Sequence, residues 1–186
     1  MNDSAGAQTR PARVFVGLKI SPVIAGQLLS HISELKVTRA RLVVPADVHL
    51  TLVPPWPEVS IDHAVERLID ATGGFAPFAL KLEHLGYGPQ PRRPNLLWVD
   101  CAATDEITAL HHALMQAFGQ QDSRPFRPHI TLARIREKQQ SFARKHPIDK
   151  NLDFVQPVQT VELFQSPPPG ATGYQILASI MLGRVK

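Results

Sequence analysis

His49-Leu50-Thr51-Leu52 and His129-Ile130-Thr131-Leu132 are two copies of one pattern, a histidine and a threonine separated by single aliphatic residues. In a strand, residues two apart share a face, so each copy presents an imidazole and a hydroxyl together while its aliphatic residues turn the other way, into a core. By typical residue usage, two such matches among eight histidines arise by chance about once in a thousand sequences. One strand histidine is readily explained as a group hydrogen-bonded in place. A matched pair points to a shared task.

Working outward from the first copy, residues 13–18 (RVFVGL) read as a buried strand. Ser21 and Pro22 then open a helix whose Ile24, Leu28, Leu29, Ile32 and Leu35 recur at helical spacing. Strands are predicted over 41–44 and 48–53, the second ending at Pro54-Pro55, since proline cannot continue a ladder. Ser60 caps a second helix through Thr72 with Ala64, Val65, Leu68 and Ile69 on one side, and Gly73-Gly74 ends it. Strands at 78–85 and 95–101 flank the hairpin loop GYGPQPRRP. A third helix over 105–118 turns Ile107, Leu110, Leu114 and Ala117 inward. Strands at 128–133, 158–164 and 174–182 complete the chain, the last two around SPPPGATG. The class is α+β with helices covering sheet faces, and the order of elements reads twice, each half holding one tetrad.

A chain of 186 residues, 44% hydrophobic, has the size of one domain, expected here over 13–186 after a disordered stretch at 1–12. A net charge of +4 and a pI near 9.5 attract polyanions and favour a phosphorylated substrate. Cys101 is the single cysteine, so no intrachain disulfide and no four-cysteine zinc site can form, and a reducing cytoplasmic setting fits. The polar start of the chain lacks the apolar stretch of a signal peptide, and no run approaches the roughly 20 apolar residues needed to span a bilayer.

Two imidazoles suit phosphoryl transfer because an ordinary pKa of about 6.5 lets one be protonated while the other is neutral. His49 and His129 are therefore the candidate catalytic pair. Thr51, Thr131 and a cation would hold the non-bridging phosphate oxygens, where charge gathers in the transition state. Arg134 and Arg136 are the candidate cations. Strict alternation sets Arg134 on the face opposite His129, so it is expected to act from the strand's end. Zinc would need a third ligand, and no His, Cys, Asp or Glu follows either tetrad at close spacing, so no metal site is expected. Trp56 is read as loop packing, with stacking on a base the competing role. Arg92 and Arg93 could brush an RNA backbone from their loop, though exposed loop arginines are common. His31, His63, His84, His111, His112 and His146 are read as surface or structural.

The two tetrads, with Arg124-Pro125-Phe126-Arg127-Pro128 before the second and Ala133-Arg134 after it, resemble the two-histidine (2H) phosphoesterases. Within them the chain looks most like the RNA 2',3'-cyclic phosphodiesterase group, historically called 2'-5' RNA ligases. The resemblance implies a bilobal, pseudo-two-fold fold of two antiparallel-sheet lobes, with helices on the outer faces and a central cleft carrying both motifs. It implies His49 as proton donor, His129 as acceptor, phosphate bound by Thr51 and Thr131, a 2'-phosphate product, weak reversible 2'-5' ligation, and no metal or nucleotide cofactor. One departure stands beside His49: the family continues through Phe-Leu-Gly, and this chain through Val53-Pro54-Pro55-Trp56-Pro57. The expected partner is RNA ending in a 2',3'-cyclic phosphate, with no membrane and no obligate protein partner. Two other readings stay open: a cyclic phosphodiesterase for a small nucleotide or ADP-ribose derivative, and a non-catalytic RNA-binding module.

Overall fold

The computed structural model describes residues 11–34, 40–90, 93–137, 140–168 and 171–183. Leu35, Arg92 and residues 1–10, on which expectations were placed above, lie outside the described residues. Among the described residues there are nine strands and four α-helices in the order β1 (Ala12–Lys19), α1 (Pro22–Glu34), β2 (Arg41–Leu42), β3 (His49–Glu58), α2 (Ile61–Thr72), β4 (Phe78–Gly88), β5 (Leu96–Cys101), α3 (Asp105–Ala117), β6 (His129–Arg134), α4 (Gln140–Lys145), β7 (Asp149–Val158), β8 (Thr160–Gln165) and β9 (Gln175–Met181). The predicted caps form. Ser21 Oγ accepts from Ile24 N at 3.3 Å, Ser60 Oγ accepts from His63 N at 3.3 Å, and Gly73 ends α2.

The strands form one antiparallel sheet in the order β7-β4-β5-β6-β3-β1-β8-β9, with β2 paired to β6 beside this path. Its two halves correspond, β6 to β3 and β5 to β1, and they meet at the seam between the motif strands, where Leu50 lies opposite Ile130. On either side of that seam the local contacts match. Lys19 lies opposite His49 and Asp100 opposite His129; Gly17 lies opposite Thr51 and Trp98 opposite Thr131. Ile20 N donates to Val48 O at 3.2 Å just as Cys101 N donates to Pro128 O at 3.0 Å.

Leu50, Leu52, Ile130 and Leu132 are at most 1% exposed and join Leu28 and Ile32 of α1, Leu68 of α2, and Leu110 and Leu114 of α3 in one core. Each fully buried leucine contributes about 2 kcal/mol of apolar transfer free energy, so the face opposite the histidines is the anchored one.

Several expectations are corrected. Ala12 belongs to β1 and not to a disordered leader. β3 does not stop at Pro54-Pro55 but runs to Glu58, with Trp56 opposite Val14 and Pro57 opposite Arg13. Pro54 and Pro55 fall where the register shifts between Val53 and Trp56. Beyond the Leu50 rung, β6 no longer runs alongside β3, so the missing proline N–H groups break no bond on that side. Neither β7 nor α4 was foreseen. Pairing of β7 along β4 from Phe78 to Gly86 gives that half its outer strand.

Candidate active site

His49 enters β3 from a 3₁₀ turn at Pro45–Asp47, and its Nδ1 lies 2.6 Å from the carbonyl oxygen of Asp47, two residues upstream. His129 opens β6, and its Nδ1 lies 2.8 Å from the carbonyl oxygen of Arg127, again two residues upstream. A carbonyl oxygen has no proton to give, so Nδ1 is the donor in both rings and Nε2 is the nitrogen left for chemistry.

The two rings sit in different surroundings. His49 lies among aromatic rings, with centroids 4.8 Å from Phe15, 5.6 Å from Phe164 and 5.0 Å from Tyr174, the last edge-on. Burial pushes its pKa below the ordinary 6.5; the bond and charge of Asp47 oppose the shift, and Arg134 and His129 add to it. His129 lies 4.4 Å from the Trp98 ring, over which the Arg127 guanidinium sits at 4.8 Å. Its pKa is also lowered by burial, against the Arg127 carbonyl bond and the Asp100 charge. Asp100 in turn accepts both Nε and an Nη of Arg127, at 2.8 and 2.9 Å.

Extending the Leu50–Ile130 register by one residue each way sets His49 across from Thr131 and Thr51 across from His129. The structure thus brings all four motif side chains to one face of two neighbouring strands, each half-buried. Arg134 joins them by a route that alternation misses. A bulge in β6 sets Trp98 opposite Thr131 but Leu97 opposite Ala133 and Leu96 opposite Arg134, so two successive residues, Leu132 and Ala133, are buried and Arg134 returns to the face of His129 and Thr131. The electrostatic effect of Arg134 on His49 agrees. β3 bulges at the same place, with Leu52 and Val53 buried in succession, so that Pro54 occupies the position equivalent to Arg134.

Trp56 is buried, 4.7 Å from Phe118, and donates Nε1–H to Glu58 at 3.1 Å, which removes it as a platform for a base. Arg93 is exposed beside the hairpin loop, away from the tetrads in sequence. Arg136 lies beyond the end of β6. His111 does more than cover surface: its Nδ1 donates to Leu52 O at 2.8 Å and its ring stacks on Phe126 at 3.8 Å, bracing the first tetrad against the approach to the second. Asp47, Arg127, Asp100, Trp98 and Tyr174 were given no role from sequence, Arg127 entering only within the motif that carries the resemblance. The position two before each histidine was the available signal for the first two; the others depend on strand pairing. Among the described residues no group of three His, Cys, Asp or Glu is placed to hold a metal ion, and no helix is long and apolar enough to cross a membrane.

A two-halved antiparallel sheet with matched histidine-threonine tetrads on its central strands defines a 2H phosphoesterase. The profile of the 2'-5' RNA ligase superfamily matches residues 24–164, and the chain belongs to that superfamily. It is 26% identical over 132 residues to the RNA 2',3'-cyclic phosphodiesterase of Archaeoglobus fulgidus, covering 68% of this chain and 74% of that one. The protein of the same description from Bacillus subtilis is 28% identical over 127 residues, covering 64% and 69%. In fold, the chain is similar to E. coli LigT, in its crystal structure complexed with 3'-AMP, with a TM-score of 0.70 at 24% identity over 93% of this chain and 99% of that one.

Proposed function

We propose that the chain hydrolyses the 2',3'-cyclic phosphate at an RNA end to a 2'-phosphomonoester, with His49 as proton donor and His129 as acceptor. The observation that carries this reading is the matched anchoring of the two imidazoles, each fixed through Nδ1 to a carbonyl two residues upstream, on adjoining strands and one face. The descriptions of the two relatives support the substrate class.

Water's oxygen bonds to phosphorus as the bond from phosphorus to O3' breaks. Nε2 of His129 takes the water proton, Nε2 of His49 gives a proton to O3', and the bond to O2' stays. Charge gathering on the non-bridging oxygens meets the Thr51 and Thr131 hydroxyls and the Arg134 guanidinium. A 5'-hydroxyl in the place of water would join two RNA ends through a 2'-5' bond by the same exchange. The paired tetrads favour this over a non-catalytic RNA-binding module, because binding alone has no need of two free Nε2 atoms.

The test is hydrolysis of a cyclic-phosphate-terminated oligonucleotide in isotopically labelled water. The expected product is a 2'-phosphate carrying one labelled oxygen. A 3'-phosphate product, or no turnover, contradicts the reading, and a large preference for a 2',3'-cyclic mononucleotide moves the substrate to the small-nucleotide class.

A further inference from the structure

β2 pairs with the same edge of β6 that β3 uses, and its register sets Arg41 directly opposite Arg134. Directly opposed residues of an antiparallel pair share a face, with Cα atoms about 4.5–5.5 Å apart. The bulge that returns Arg134 to the face of His129 and Thr131 therefore brings Arg41 there as well. Both side chains are exposed, and among the described residues neither forms an ion pair with a carboxylate. Two like charges directly opposed are destabilising. The edge of β6 carries Leu50 opposite Ile130, then Leu42 and Arg41 opposite Ala133 and Arg134, so the arginine pair lies past His49, at the end of the site away from His129.

We propose that Arg41, beside Arg134, forms a subsite for a second phosphate, the phosphodiester that joins the terminal nucleotide to the rest of an RNA chain. Arg134 lies on β6 itself, within electrostatic reach of His49, and serves the reacting phosphate. Arg41, one strand further out, is left for the next phosphate along. The pair thereby selects a polymer end over a mononucleotide, and the cross-strand repulsion is relieved when the second anion arrives. This rests on the reading of the site as an RNA-end phosphodiesterase, and it deepens that reading by assigning the residue that recognises chain.

The test is equilibrium binding, independent of turnover, using two uncleavable probes: a 3'-phosphate-terminated oligonucleotide and the corresponding 3'-mononucleotide. Arg41→Ala should weaken the oligonucleotide about tenfold and the mononucleotide less than about threefold, and should flatten the salt dependence of oligonucleotide binding by about 0.7 in log-log slope, one single-strand phosphate contact. Arg144→Ala, the same charge change on exposed α4, controls for general attraction. Equal weakening of both probes by Arg41→Ala, or an effect on the oligonucleotide no larger than that of Arg144→Ala, overturns the subsite. If the subsite signature is present but cyclic ends are not hydrolysed, the proposed reaction fails and the subsite stands. If hydrolysis is present without the signature, the reverse holds.

Discussion

Tyr174 donates its backbone N–H to the Asp47 carboxylate across 2.9 Å, and the carbonyl oxygen of that same Asp47 holds His49. The loop between β8 and β9 is thus tied to the residue that orients one imidazole, and the Tyr174 ring reaches the His49 ring edge-on. The equivalent tie in the other half is made by Arg127, whose carbonyl holds His129 and whose guanidinium is gripped by Asp100. Opposite charges therefore occupy equivalent positions in the two halves.

Asp47→Ala keeps the carbonyl and removes the carboxylate. A hydrogen bond to a charged acceptor contributes about 1.5–3 kcal/mol, and this one is partly solvated, so a stability loss of about 1.5 kcal/mol is expected in denaturant titration. Burial already depresses the His49 pKa, and Asp47 opposes that shift. Removing it should move the alkaline limb of the kcat/KM profile, which a proton donor sets, to lower pH, with kcat/KM down about tenfold. An unchanged profile would show that Asp47 does not act on His49.

Gly17 lies opposite Thr51, where a Cβ would come 2.5 Å from the Leu50 carbonyl oxygen. Backbone cannot yield as a side-chain tip does, so Gly17→Ala must displace the first tetrad. Expected are a destabilisation above about 2 kcal/mol and a loss of activity larger than any change in substrate affinity. Full activity in a stable Gly17→Ala protein would contradict the register described here.

Much of this was legible in the sequence, for physical reasons that also mark where reading stops. Period-two alternation placed Leu50 and Leu52 in the core and His49 with Thr51 on the open face, because each tetrad is regular strand. The same rule misplaced Arg134, since a bulge adds a residue that only pairing with β5 reveals. Pro54-Pro55 read as a stop because proline breaks ladders, yet here it lies in a shifted stretch past the seam. β7 went unread although Leu152, Phe154 and Val158 share one face, since polar Gln156 on that face and apolar Val155 on the other blur the alternation of an outer strand. His111, read as surface or structural, is structural, and its partners, Leu52 O and Phe126, were not legible because they are far away in sequence.

Replacing His111 by Phe keeps a ring to stack on Phe126 and deletes the donor to Leu52 O. An unsatisfied carbonyl beside the core costs about 1–2 kcal/mol. Thermal or denaturant unfolding of His111→Phe should show that loss, and His111→Gln, which can still donate, should recover part of it. Equal stability of all three proteins would mean that the bond carries no weight.

Burial lowers the pKa of His49, His129 and His111 below 6.5. Between the depressed folded values and 6.5 the unfolded chain binds more protons than the folded one. Stability contributed by these groups therefore rises with pH across that window and is lost as pH falls through it. Phosphate bound between the imidazoles favours their charged forms and should narrow the loss. Denaturant midpoints on either side of about pH 6, with and without phosphate, check both signs. His49→Gln with His129→Gln should flatten the dependence, and a wild-type protein that grows more stable on acidification across this range would contradict it.

The most direct measurement of the central claim is kcat/KM of His49→Ala and of His129→Ala on an oligonucleotide ending in a 2',3'-cyclic phosphate, each variant first checked for a wild-type circular dichroism spectrum. If the two rings are the proton donor and acceptor of one reaction, each substitution lowers kcat/KM by at least about a hundredfold, and the double variant loses little more than either single one. Folded single variants that turn over substrate at close to the wild-type rate would contradict the account.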